Sequence, residues 1–146
     1  MEYKNDQSLK LFIVLSRAYR AMNESVNHYI QKEGLNPTEF AVLELLYHKG
    51  RQPLQQIGEK ILLASGSITY VVDKLEKKGL AKRAGSSNDR RVTYAEITEE
   101  GAHFISGFFP HHAKRIQDLV SVLRKDEVEQ AIEILKKLGL SVKKDE

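Results

Sequence analysis

Between Ser8 and Glu33 the residues Leu9, Phe12, Ile13, Leu15, Tyr19, Met22, Val26 and Ile30 recur at three- and four-residue steps, the spacing of one helix face. Gly34 follows as a stop. A helix of that span is about 39 Å long at 1.5 Å per residue, more than the core of a small domain can cover. Its apolar residues begin at the far end, with Leu9, Phe12 and Ile13. A partner must pack there, and a second copy of the same chain is the simplest one.

The rest of the chain alternates short elements with clear punctuation. Asn36-Pro37-Thr38-Glu39 combines a capping side chain, a proline at the first helical position and an acid at the third. Phe40, Val42, Leu43, Leu45, Leu46 and Tyr47 then form one broad apolar face, and Gly50 ends that helix. Pro53 opens a short helix with Leu54, Ile57 and Ile61. A turn through Leu62, Leu63 and Ala64 leads to Ser65, which caps a third helix from Gly66 to about Lys78. Gly79 closes it.

After Gly79 the apolar period drops to two. Leu80 to Ala84 and Val92 to Ile97 are expected strands joined by a polar loop, Gly85 to Arg91. Thr98-Glu99-Glu100-Gly101 starts a long helix to about Leu123, with a kink expected at Pro110. A last helix is expected from about Asp126 to Leu138. Three compact helices and a hairpin make a winged helix-turn-helix. The expected fold is therefore mainly α (α+β), with long N- and C-terminal dimerisation helices. The boundaries are 1–34 for the first arm, 35–98 for the winged lobe and 99–146 for the second arm.

Composition removes several classes of function. With no cysteine in 146 residues, thiolate metal sites, Cys nucleophiles and thiol switches are excluded. No apolar run is long enough to span a bilayer, and the charged N-terminus is no signal peptide, so no membrane partner is expected and the expected location is the cytoplasm. No nucleophile elbow, phosphate loop or His-Glu-x-x-His pattern is present. Neither enzymatic activity nor a cofactor is expected.

The net charge is only +3, but seven basic and two acidic residues lie between Lys74 and Arg91. That stretch of 18 residues carries +5, which leaves −2 for the other 128. On the helix from Gly66 to Lys78, Ile68, Val71, Val72 and Leu75 fall within about 100° of one another and form the core stripe. Ser67, Thr69, Tyr70, Asp73, Lys74 and Lys77 lie outside it. Small hydroxyls near the start and lysines near the end suit a helix in the major groove of DNA. An ordinary surface helix is the bland alternative.

The loop sharpens the choice. In Asp89-Arg90-Arg91 the acid stands two residues before an arginine, where it can brace the guanidinium to point outward. A preoriented arginine on a thin hairpin suits a minor groove. The candidate DNA contacts are Ser65, Ser67, Thr69, Tyr70, Lys74 and Lys77 on the helix, with Asp89, Arg90 and Arg91 on the hairpin. A winged-helix adaptor for proteins is the reading from another class; a salt titration on random duplex separates the two, because phosphate binding releases counterions.

The run Leu63-Ala64-Ser65-Gly66-Ser67-Ile68-Thr69, then Leu75-Glu76-Lys77-Lys78-Gly79-Leu80, Asp89-Arg90-Arg91 and Thr98-Glu99-Glu100-Gly101, resembles the MarR family of bacterial transcriptional regulators. The resemblance spans nearly the whole chain. It implies a homodimer on a pseudo-palindromic operator in double-stranded DNA, usually as a repressor. Residues 65–74 would lie in the major groove, Asp89 and Arg91 at the wing tip, and the terminal helices would intertwine between subunits through Leu9, Phe12, Ile13, Leu135 and Leu138.

Many members of that family release DNA on binding small aromatics in a cleft between the dimer helices and the DNA-binding lobe. The segment Asn36 to Lys78 is also similar to regulators of quinone and hydroquinone detoxification, which implies a phenolic or quinone effector. Tyr19, Tyr29, Phe40, Tyr47 and Phe108 are the candidate pocket residues, although aromatics at helical spacing are more often plain core. The branch that senses peroxide through a cysteine is excluded. A metal-responsive regulator is the other alternative. Glu99 and His103 share a helix face, but His111 and His112 point about 100° apart, and no metal site is expected.

Overall fold

In the computed structural model of the chain, residues 2–61, 68–86 and 88–144 are described. Helix α1 is Gln7–Lys32, capped by Asp6, whose side chain accepts from the Ser8 and Leu9 amides. Helix α2, Pro37–Lys49, starts on a complete capping box: Asn36 Oδ1 accepts from the Glu39 amide at 2.7 Å, and Glu39 Oε1 accepts from the Asn36 amide at 3.3 Å. Strand β1 is Gln52–Pro53, helix α3 Leu54–Lys60 and helix α4 Ile68–Lys77. Strands β2, Ala81–Gly85, and β3, Thr93–Ile97, form the hairpin, followed by α5, Glu99–Val120, and α6, Lys125–Lys144. Fold class and element order are those expected: a winged helix-turn-helix flanked by long helices.

Three details differ. The hairpin is joined by a third strand: β1 pairs antiparallel with β3, Gln52 opposite Ala95 and Pro53 opposite Tyr94, giving the order β1-β3-β2. Two residues show no periodicity, and a proline is tolerated because β1 is an edge strand. Helix α5 stops at Val120, where Ser121 and Leu123 donate back to the Asp118 and Val120 carbonyls. Helix α6 runs six residues past the expected end, through Gly139. An interior glycine costs only about 1 kcal/mol, and the apolar stripe Ile132, Leu135, Leu138 continues to Val142. The expected turn at 62–64 and helix start at Ser65-Gly66-Ser67 lie outside the described residues.

Residues 1–110 and 111–146 form two compact units. In the first, α2, α3, α4 and the sheet enclose one core. Val42, Leu43, Ile57, Val72, Leu75, Ala95 and Ile105 are all fully or almost fully buried there. The outer half of α1 contributes nothing to it: Leu9, Phe12 and Ile13 are exposed, Phe12 by 70%. In the second unit Ile132, Ile134, Leu135, Leu138, Leu140 and Val142 of α6 are also exposed. Among the described residues no helix is long and apolar enough to cross a membrane.

Candidate nucleic-acid interface

Helix α4 is oriented by its apolar stripe. Val71, Val72 and Leu75 are buried, which turns Thr69, Tyr70, Asp73 and Lys77 to the surface. The Lys74 ammonium lies 5.0 Å from the centre of the Tyr70 ring. Hydrogen bonding to the Tyr70 side chain, and then its charge, hold Lys74 above its ordinary value. The helix thus presents an aromatic ring and two lysines on one outward stripe. Ser65 and Ser67, the other proposed contacts on this helix, lie outside the described residues.

The end of α4 is fixed firmly. Gly79, at φ +76°, takes the left-handed position, and the Leu80 and Gly79 amides donate to the Leu75 and Glu76 carbonyls at 3.0 and 2.9 Å. That is a Schellman motif, which needs a residue able to adopt positive φ. Thr98 Oγ1 then donates to the Gly79 carbonyl at 2.6 Å and accepts from the Gly101 amide at 3.0 Å. One hydroxyl joins the end of α4 to the start of α5. Gly101 packs so closely that a methyl group there would overlap the Leu80 carbonyl oxygen and lie 2.7 Å from Ile97 Cγ1.

At the wing tip the expected brace is present. Asp89 accepts from the Arg91 amide at 2.9 Å, from Nε at 3.2 Å and from Nη2 at 3.4 Å. Ser86 Oγ steadies the tip by accepting from the Asn88 and Asp89 amides. The Arg91 amide first, and its guanidinium second, hold the Asp89 carboxyl below the ordinary aspartate value. Arg91 remains 91% exposed, and Arg90 is exposed beside it.

Helix and wing face each other across an open groove of about 250 Å³ lined by Leu54, Gln55, Thr69, Arg83, Arg91 and Thr93. The expected contacts Thr69 and Arg91 therefore line one feature. Gln55, Arg83 and Thr93 were not anticipated. Gln55 on α3 and Thr93 on β3 carry no charge or helix-periodic signal, and Arg83 on β2 was counted only as one of the seven basic residues between Lys74 and Arg91. Behind the wing, the Arg51 guanidinium lies 4.2 Å from the Tyr94 ring centre.

The MarR family model matches residues 35–93, the stretch from the capping box of α2 to the start of β3. Over 138 residues the chain is 64% identical to the HTH-type transcriptional regulator MhqR of Bacillus subtilis (strain 168), covering 94% of this chain and 95% of that one. This chain belongs to the MarR family. Members of this family are DNA-binding transcriptional regulators that form dimers, not enzymes. AbsC, a MarR family regulator from Streptomyces coelicolor, shares the fold at a TM-score of 0.86 and 17% identity, covering 95% of this chain and 96% of its own. A mutant of MarR from E. coli, solved complexed with operator DNA, has a TM-score of 0.80 at 21% identity, covering 91% of this chain and 96% of its own.

In this MarR family chain, three of the five candidate pocket aromatics meet. Tyr29 and Phe40 lie 5.8 and 5.5 Å from Phe108, ring centre to ring centre, and Phe104 stacks on Phe108 at 5.5 Å. Phe40 and Phe108 are core residues. Tyr19 and Tyr47 are surface residues of the same unit, and Tyr47 contacts the ring of His48. Among the described residues no three His, Asp or Glu side chains are placed to hold a metal ion.

Proposed function

We propose that the chain is a homodimeric repressor that reads a pseudo-palindromic operator through α4 and the wing. Tyr70, Thr69, Lys74 and Lys77, with Ser65 and Ser67, contact the major groove, and Arg91, braced by Asp89 and flanked by Arg90, enters the adjacent minor groove. The observation that carries this reading is the preoriented, fully presented Arg91 across one groove from Thr69, on a segment of net charge +5. Residues 1–34 and 99–146 supply the dimer contacts, including Leu9, Phe12, Ile13, Leu135 and Leu138, and half-sites lie about 34–36 Å apart, one turn of the duplex. An operator overlapping the promoter makes bound protein a block to transcription. In a gel-shift titration on the duplex it selects from a randomised pool, Arg91→Ala is expected to bind weakly while staying dimeric; parental affinity would sink the assignment.

For effector release we propose a small phenol or quinone acting beside the Tyr29, Phe40 and Phe108 cluster, with Tyr19 and Tyr47 as further candidate contacts. Such a ligand shifts the operator equilibrium only by its preference for the conformation that does not bind DNA. A thermal-shift screen of phenols and quinols, followed by operator competition, tests it. A hit that raises the melting temperature and lowers operator affinity is expected. A hit that leaves operator affinity unchanged overturns the release mechanism.

A further inference from the structure

Arg83 on β2 makes an arrangement that the reading above does not use. Its Nη1 lies 2.7 Å from Asp73 Oδ1 and also pairs with Glu76 Oε1. Its Nη2 donates to the Thr69 backbone carbonyl at 3.1 Å, and its backbone amide donates to Glu76 Oε2 at 3.4 Å. Thr69, Asp73 and Glu76 are spaced by four and three residues, so they form one stripe of α4, the stripe turned to the wing. Tyr70, Lys74 and Lys77 form the neighbouring stripe, rotated by about 100°. One guanidinium therefore grips α4 over two turns and sets the rotation at which the second stripe is presented. Both terminal nitrogens are engaged inside the protein, and the side chain is only 27% exposed.

We infer that Arg83 is a positioning residue for operator recognition: it fixes α4 against the wing so that the two elements enter adjacent grooves together, without itself contacting DNA. This inference rests on the DNA reading proposed above. The planar fork matters, because a lysine offers one point charge and reaches one of the three partners. The same grip also keeps two carboxylates, Asp73 and Glu76, paired on a helix that must approach phosphates.

The test separates position from charge. In Asp73→Asn/Arg83→Gln one acid and one base leave together, so the local net charge is unchanged. Random-duplex affinity should stay within about twofold of the parent and its salt slope should not change, since both follow the charge presented to phosphates. Affinity for the duplex selected by the parent from a randomised pool should fall about tenfold or more, the scale of losing one specific base-pair contact. Arg83→Lys, which keeps the charge and is expected to fold even if the double variant does not, should lose part of the same preference. Melting curves establish that each protein is folded at the assay temperature. Parental operator preference in Arg83→Lys or in the double variant overturns the inference. A salt slope lowered by about one in the double variant also overturns it, because it marks a direct phosphate contact. A pool that yields no preferred duplex for the parent counts against the DNA reading itself and removes this inference with it.

Discussion

At the scale of single residues the wing tip and the α4–α5 junction make opposite demands. Arg91 is exposed and is proposed to meet the operator, so Arg91→Ala should leave the melting temperature unchanged and cost about 1–3 kcal/mol of operator binding. Gly101 is enclosed and bears on folding. Gly101→Ala must push the Leu80 carbonyl and Ile97 aside, and should lower stability by about 1–3 kcal/mol or more in denaturant titration. The Asp89 brace has a defined pH range. Because the folded wing favours its carboxylate, the brace is complete above the ordinary aspartate value and is lost only as pH falls through the lowered one. Carboxyl NMR should show Asp89 titrating below an unstructured aspartate, and a value at or above that reference would contradict the geometry. Asp89 and Arg91 were legible in the sequence because a two-residue spacing fixes their local geometry. Arg83 was not, because its partners lie seven to fourteen residues away and meet it only when the hairpin folds back.

At the scale of elements, local signals located the boundaries well wherever a side chain terminates a helix. Asn36 and Glu39 announce α2, Gly50 and Gly79 end their helices at positive φ, and Thr98 starts α5. The misplaced ends lack such signals: β1 is two residues long, and Gly139 resembles a stop but sits on an uninterrupted apolar stripe. Packing between elements was also invisible. Lys78 Nζ donates to the Gly34 carbonyl at 2.8 Å and lies 2.5 Å from Glu39 Oε2, so the end of α4 is tied to the end of α1 and the start of α2. Glu39 is almost fully buried. Lys78→Met should leave that carboxylate without its countercharge, at a cost of about 2 kcal/mol once the partial exposure of the lysine is allowed for. Adding Glu39→Gln should recover part of the loss in the same denaturant titration, and no recovery would mean the pair contributes only packing.

At the scale of the whole molecule, α1 and α6 each carry a run of exposed apolar side chains, Leu9, Phe12 and Ile13 on one and Ile132, Leu135 and Leu138 on the other. The proposed dimerisation through them follows from length, since a helix of 26 residues cannot be covered by so small a lobe. Phe12→Asp should shift the sedimentation profile toward the monomer and abolish tight operator binding, because a single lobe reads only one half-site. A dimer of parental stability in that variant would place the interface elsewhere. In the proposed complex, subunit pairing sets how many lobes engage and the wing sets what each engagement costs. A guanidinium already held by Asp89 has fewer rotamers to surrender when DNA arrives, so the ordering cost falls on folding rather than on binding. Calorimetry should therefore find that Asp89→Ala makes operator association entropically less favourable, a signature that an affinity measurement at one temperature would not reveal.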